Sequence, residues 1–184
     1  MAKPSDHARR ALLRHALSLG LGAAASGLAQ PARADALRVG APAPPLVLHT
    51  LNGDSIATRD LRGQIVIVTF WASWCRPCLE ELPILSDYAQ RHRSQGLTVL
   101  GFSLDTPATL PAVRSLAAKL SFPVGLLGSA YAGGYGRIWR IPVSFTIDRS
   151  GLLVDNGWQD RAPAWTEARL EHHVTPLLIA TPMS

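Results

Sequence analysis

The sequence predicts an α/β fold, with a central mixed β-sheet flanked by helices and a β-hairpin ahead of it. Three observations carry this. Gln64 to Phe70 (QIVIVTF) is a β-branched apolar run, too short for most helices, and reads as a strand buried on both faces. A long helical pattern beginning at Arg76 separates it from a second apolar run, Leu97 to Leu104, and the order strand, helix, strand implies a right-handed parallel crossover. Ile141 to Asp148, a strand opened by Pro142, and Leu152 to Trp158 flank the turn residues Arg149-Ser150-Gly151, which makes them an antiparallel pair at one side of the sheet.

A chain of 184 residues suits one domain with a sizeable core. Its formal charge of +5 is concentrated at the start. Up to Ala34, Lys3, Arg9, Arg10, Arg14 and Arg33 stand against Asp6 alone, whereas the remainder carries thirteen basic and twelve acidic residues. The near-neutral remainder leaves no electrostatic footprint for nucleic acid. Residues 1–34 read as an export signal and 35–184 as the working domain. Arg9, Arg10 and Arg14 form a basic region, Ala16 to Ala29 a mild apolar stretch, and Ala32-Arg33-Ala34 an A-x-A cleavage site. Arg9-Arg10 before a weakly apolar core resembles a twin-arginine signal, and a general secretory signal fits as well. Either route leads to an oxidising compartment, the periplasm, where a dithiol's redox state carries information.

Within the domain, Leu46 to Leu51 and Asp54 to Thr58 flank Asn52-Gly53, a type I′ hairpin signal, with His49 at the surface. The helix from Arg76 to about Arg93 contains Pro83, which deprives the Leu79 carbonyl of its partner, so a kink is expected. Thr106 to Leu120 reads as a helix with Thr106 as N-cap and Pro107 at its first position. Phe122 to Leu127 is a short edge segment, and Ser129 to Gly136 a short helix or loop whose glycines lack the spacing of a nucleotide-binding fingerprint. Tyr131, Tyr135 and Trp139, ahead of a strand, read as core. The last helix runs from Ala164 to Val174 and is closed by Pro176, with His172 and His173 on different faces of a solvated end.

Both cysteines of the chain lie in Phe70-Trp71-Ala72-Ser73-Trp74-Cys75-Arg76-Pro77-Cys78, at the mouth of the long helix. Two sulfurs so spaced can close a small disulfide. The first sits where unpaired N–H groups and the helix dipole favour a thiolate. Two other readings stand beside a dithiol exchanger. Half of a zinc site lacks the second cysteine pair that four-coordination wants. A structural disulfide over so short a loop stabilises little by chain entropy.

Trp74-Cys75-Arg76-Pro77-Cys78 resembles the thioredoxin W-C-x-P-C motif, and the wider FWASWCRPCLEELP is similar to the exported, membrane-associated thiol-disulfide oxidoreductases of the TlpA and ResA type. The resemblance covers roughly residues 40 to 180. It implies a thioredoxin-like fold with an added N-terminal hairpin, a proline such as Pro83 in the long helix, and a cis Ile141-Pro142 bond beside the dithiol. Cys75 is then the nucleophile, helped by the helix N-terminus and the nearby charge of Arg76, and Cys78 the more buried resolving thiol. Thioredoxin places a buried aspartate six residues before the first cysteine, where this chain has Thr69, which takes no proton at neutral pH. Glu81, three residues after Cys78 on nearly the same helical face, is the candidate replacement, and ResA-like proteins carry an acid at this offset. Glu80 points elsewhere. The catalytic set is thus Cys75, Cys78 and Glu81. Trp74, Arg76, Pro77, Ile141 and Pro142 form the client-binding surface, with Trp71 on the apolar rim as support and the backbone at Ile141 free to pair with an extended segment.

The leading function is an exported disulfide reductase that needs no cofactor or metal, acts on oxidised cysteines of other proteins and is kept reduced by a membrane thiol-disulfide carrier. The cytochrome c maturation branch of this family usually has a glutamate directly after the cis-proline, and Val143 stands there, so a general reductase or one serving copper-site assembly fits equally. A disulfide oxidase or isomerase shares the same motif. A carrier holding Cu(I) on the two thiolates calls for Met or His ligands, and none lies next to the motif. Thiol peroxidases carry a threonine three residues before their cysteine, where this chain has Ala72.

Overall fold

The computed structural model describes residues 37–179, and the expected export signal lies outside them. Two short strands come first, β1 (Val47–His49) and β2 (Ser55–Ala57), paired antiparallel as a separate sheet. The central strand β3 (Ile65–Trp71) is buried along its whole length. Helix α1 (Arg76–His92) carries the chain to β4 (Leu97–Ser103), which pairs with β3 in parallel from Ile65↔Leu97 to Trp71↔Ser103. Helix α2 (Leu110–Ala117) leads to the parallel edge strand β5 (Val124–Leu126). On the other side of β3 lie β6 (Val143–Ile147) and then β7 (Leu153–Asn156), both joined antiparallel. The order of the mixed sheet is β5-β4-β3-β6-β7. Helices α3 (Glu167–His173) and α4 (Thr175–Ile179) follow.

Alternation along β3 divides the core. Ile65, Ile67 and Trp71 pack with Leu82, Leu85 and Tyr88 of α1 and with Leu170, Val174 and Leu178 of α3 and α4. Val66, Val68 and Phe70 point the other way, into a cluster with Phe102, Tyr135, Phe145 and Leu48 of the hairpin. Thr69 is therefore a hydroxyl on the α1 face, inside the first cluster's side of the sheet. The hairpin rests on the β5 edge: the Leu51 N–H donates to the Val124 carbonyl at 2.9 Å. A Cβ at Gly125 would strike the His49 carbonyl, so that crossing needs glycine.

Three local expectations are corrected. The Asn52-Gly53 turn is not type I′, since no residue but glycine has positive φ among the described residues. The Gly53 N–H returns to the Thr50 carbonyl at 3.0 Å and Gly53 alone takes φ 96°, a type I turn followed by a left-handed glycine, which suits a longer loop. Thr106 makes no side-chain cap; a 3₁₀ turn, Pro107–Thr109, precedes α2, and a second proline, Pro111, starts the helix proper. The last helix begins at Glu167, capped by Thr166, and Pro176 opens α4 rather than ending the chain's helical structure, because a proline in a first turn gives up an N–H that has no partner there.

Candidate active site

The site lies at the carboxyl ends of β3 and β4 and the amino end of β6. Pairing of Phe70 with Val143 brings the connection out of β3 alongside the residues that lead into β6, where the Ile141-Pro142 bond is cis. Cys75 is the N-cap of α1, with extended backbone. Its Sγ accepts the Cys78 N–H at 3.3 Å, so the sulfur takes the place a serine or aspartate oxygen fills in other helices. The two cysteines form a disulfide with Cα atoms 5.3 Å apart. Cys75 keeps 5% exposure and Cys78 none, which matches the expected order of accessible and resolving sulfur. Around them Trp74 is 67% exposed, Arg76 and Pro77 are exposed, Ile141 is half-buried against the cluster that holds both cysteines, and Pro142 is buried. Arg76 pairs with Glu80 at 3.2 Å in solvent.

Trp71 is not on the rim. It is fully buried on the α1 face, as the pleat of β3 requires. Tyr135 is core, but Tyr131 and Trp139 are exposed, against expectation. Trp139 stacks on Trp158 with ring centroids 5.5 Å apart, beside Arg140, whose Nη2 donates to the carbonyls of Gly157, Trp158 and Asp160. An aromatic residue here finds its partner across a loop rather than in the core.

Glu81 is buried, 1% exposed, while Glu80 is on the surface. Its Oε2 accepts the Trp165 N–H at 2.7 Å. Burial pushes its carboxyl up from 4.5 to about 7, and the Trp165 N–H, the charge of Arg169 and the neighbouring Thr69 hydroxyl pull the other way without cancelling it. The acid thus approaches, from α1, the β3 position that holds the threonine.

Asp105, just beyond β4, was not singled out by the sequence. Its carboxylate accepts the Ser73 N–H at 2.7 Å, the Ser73 hydroxyl at 2.6 Å, the Ser103 hydroxyl at 2.6 Å and the Thr109 hydroxyl at 3.0 Å. Burial alone would raise its pKa, but these hydrogen bonds, led by those from Ser103 and Ser73, outweigh it and hold the carboxyl below its usual value. Ser73 lies two residues before Cys75, so Asp105 fixes the loop that presents the sulfur. Asp105→Ala is expected to lower unfolding free energy by about 2–4 kcal/mol, because several buried donors lose their acceptor together. Urea denaturation checks this. The depressed pKa gives a stability present above about pH 4 and lost as pH falls through the lower, folded-state value, and the variant should lack that acid limb. The run Ser103-Leu104-Asp105-Thr106 at a strand end was the available signal. Trp165 acts through its backbone N–H, which leaves no mark in a sequence.

Residues 39–155 match the family described as the AhpC/TSA family. The chain belongs to the AhpC/TSA family. Among the curated members it resembles, the thiol-disulfide oxidoreductase ResA of Bacillus thuringiensis (strain Al Hakam) is 34% identical over 122 residues, 65% of this chain and 69% of that one. ResA of Geobacillus kaustophilus (strain HTA426) is 30% identical over 118 residues, 63% of this chain and 67% of that one. A solved thiol:disulfide interchange protein of the thioredoxin family from Chlorobium tepidum TLS superposes with a TM-score of 0.62 at 28% identity, covering 77% of this chain and 97% of that one. This AhpC/TSA member is a thiol-disulfide oxidoreductase with a thioredoxin-like fold. No helix among the described residues is long and apolar enough to cross a membrane.

Proposed function

We propose that the protein is an exported disulfide reductase that acts on oxidised cysteines of other proteins through Cys75 and Cys78, with Glu81 as proton acceptor. The observation that carries this is the placement of the two sulfurs. Cys75 caps a helix and reaches solvent, whereas Cys78 is sealed one turn inward, on the helix that also carries the buried Glu81. In the reduced protein the Cys75 thiolate attacks one sulfur of a client disulfide, forming a mixed disulfide and releasing one client thiolate. Glu81 takes the proton of Cys78. The Cys78 thiolate then attacks Cys75 Sγ, and the Cys75–Cys78 bond forms as the second client sulfur leaves and picks up a proton. Two electrons have passed to the client, and a membrane thiol-disulfide carrier restores them. Trp74, Arg76, Pro77 and Ile141 flank Cys75 as the client surface, the buried Pro142 supports it from within, and the backbone at Ile141 pairs with an extended client segment.

Residues 1–34 serve as the export signal, twin-arginine or general secretory, and the domain from 35 onward works in the periplasm. With Val143 after the cis-proline, a general or copper-site reductase fits as well as one dedicated to cytochrome c maturation. Equilibration of the protein in defined glutathione or dithiothreitol mixtures, with Cys78→Ser as control, tests the direction of electron flow. A reduction potential of about −250 mV or lower is expected, and one near −120 mV would make the protein an oxidant or isomerase.

A further inference from the structure

Arg169, on α3, makes more polar contacts than a surface arginine needs. Its Nη2 meets Asp155 at 3.2 Å and Asp160 at 2.6 Å, and its Nη1 donates to the carbonyls of Ala162 at 3.1 Å and Pro163 at 2.6 Å. The guanidinium also lies 4.3 Å from the centroid of the Trp165 ring. Its side chain is only 11% exposed. One planar fork thus gathers the end of β7 and the segment 160–165, and that segment ends in the N–H that Glu81 accepts. The ring of Trp165 is buried in the core cluster, which fixes where its backbone points.

We propose that Arg169 is a positioning residue for Glu81: it shapes the 160–165 segment so that the Trp165 N–H meets the Glu81 carboxylate, and it sets how readily that carboxylate ionises. The proposal rests on Glu81 being the proton acceptor only in its consequence for turnover. The arrangement itself stands on geometry. Glu81 has no direct ion pair among the described residues, and its Oε1 receives no hydrogen bond of normal geometry. On α1 it lies three residues after Cys78, from β3 the Thr69 hydroxyl faces it, and from the 160–165 segment comes Trp165. The charges around it are Arg169 of α3 and, bound to that arginine, Asp155 of β7 and Asp160. A carboxylate with one hydrogen bond in an apolar site depends heavily on that bond. Loss of Arg169 removes a nearby positive charge and frees the segment that holds the donor, and both changes favour the neutral acid.

The test titrates Glu81 in the full-length reduced protein by the infrared band of its protonated carboxyl, assigned by its disappearance in Glu81→Gln. The pH profile of disulfide exchange is recorded in parallel. Arg169→Met is expected to move the Glu81 titration upward by about one pH unit and the exchange profile with it, and to leave the profile unchanged on a Glu81→Gln background. Arg169→Lys keeps a charge but not the fork that spans two carboxylates and two carbonyls, and should shift in the same direction by a smaller amount. It also serves if the methionine variant fails to fold. A lowered melting temperature with an unmoved Glu81 titration in the variants that fold overturns the proposal and leaves Arg169 a structural residue. If Glu81→Gln does not change exchange while Arg169 variants still move the Glu81 titration, the proton-acceptor role falls and the positioning role stands.

Discussion

Cys75→Ser is expected to abolish disulfide exchange, with turnover down at least about a thousandfold, because no other nucleophilic sulfur reaches the surface among the described residues. Cys78→Ser should fail differently. Its Cys75 remains able to attack, so it should take up one equivalent of a disulfide-bonded model peptide and hold it as a mixed disulfide, visible by mass spectrometry without reductant. The asymmetry follows from burial: Cys75 shows an edge to solvent beside Trp74, and Cys78 shows none. Adduct formation on Cys78 in Cys75→Ser, and none on Cys75 in Cys78→Ser, would reverse the assignment.

Glu81→Gln carries the second large effect. Exchange at pH 7 should slow about a hundredfold, with the loss in the resolving step rather than in the first attack, since general base assistance is worth at least that much when the proton sits on a buried group. Rapid-mixing measurements of mixed-disulfide decay distinguish the two steps. The same substitution should stabilise the protein at alkaline pH. The folded carboxyl titrates at about 7 and the unfolded one near 4.5, so the folded state holds the proton more tightly. Stability is therefore greatest below the unfolded value and falls as pH rises through the folded one, by about 3 kcal/mol in all, before levelling off. Glutamine cannot ionise, so its stability curve should stay flat through that interval while its oxygen still accepts the Trp165 N–H. A wild-type curve that is also flat from pH 4.5 to 7.5 would show that Glu81 is not held neutral by burial.

What the sequence made legible was what local pattern encodes. β3 announces itself because every side chain from Ile65 to Trp71 is enclosed, so no polar residue interrupts the run except Thr69. Glu81 was legible because a spacing of three on a helix is a geometric statement, and Glu80 could be set aside for the same reason. The cis bond before Pro142 came from resemblance, since an X-Pro pair gives no local sign of its isomer. Other features depended on contacts between distant segments. Asn52-Gly53 is compatible with several turns, and the reach from Thr50 to Asp54, together with docking on β5, selects among them. Trp139 and Tyr131 were read as buried from their type, whereas Trp139 is settled by its neighbour Arg140 and by Trp158, which approaches from another loop. Asp105 and Trp165 gain their roles from Ser73 and Glu81, partners 32 and 84 positions away. No window of sequence short enough to show periodicity contains both ends of such a bond.

The hydrogen bond from the Cys78 N–H to Cys75 Sγ makes the reacting atom part of the helix's own terminus. Electron transfer at that sulfur and unfolding of the chain are then two edges of one thermodynamic cycle. The gap between the potentials of the folded couple and of the unfolded chain equals the gap between the unfolding free energies of the dithiol and disulfide forms, about 1.4 kcal/mol for each 30 mV. A charged sulfur accepts an N–H more strongly than a disulfide sulfur does, so the cap by itself favours the reduced form and draws the couple toward oxidant behaviour. A reductase must offset that elsewhere, and its oxidised form must be the harder one to melt. Two melting curves, one with reductant and one without, would therefore rank this protein among donors and acceptors of electrons before any partner is in hand.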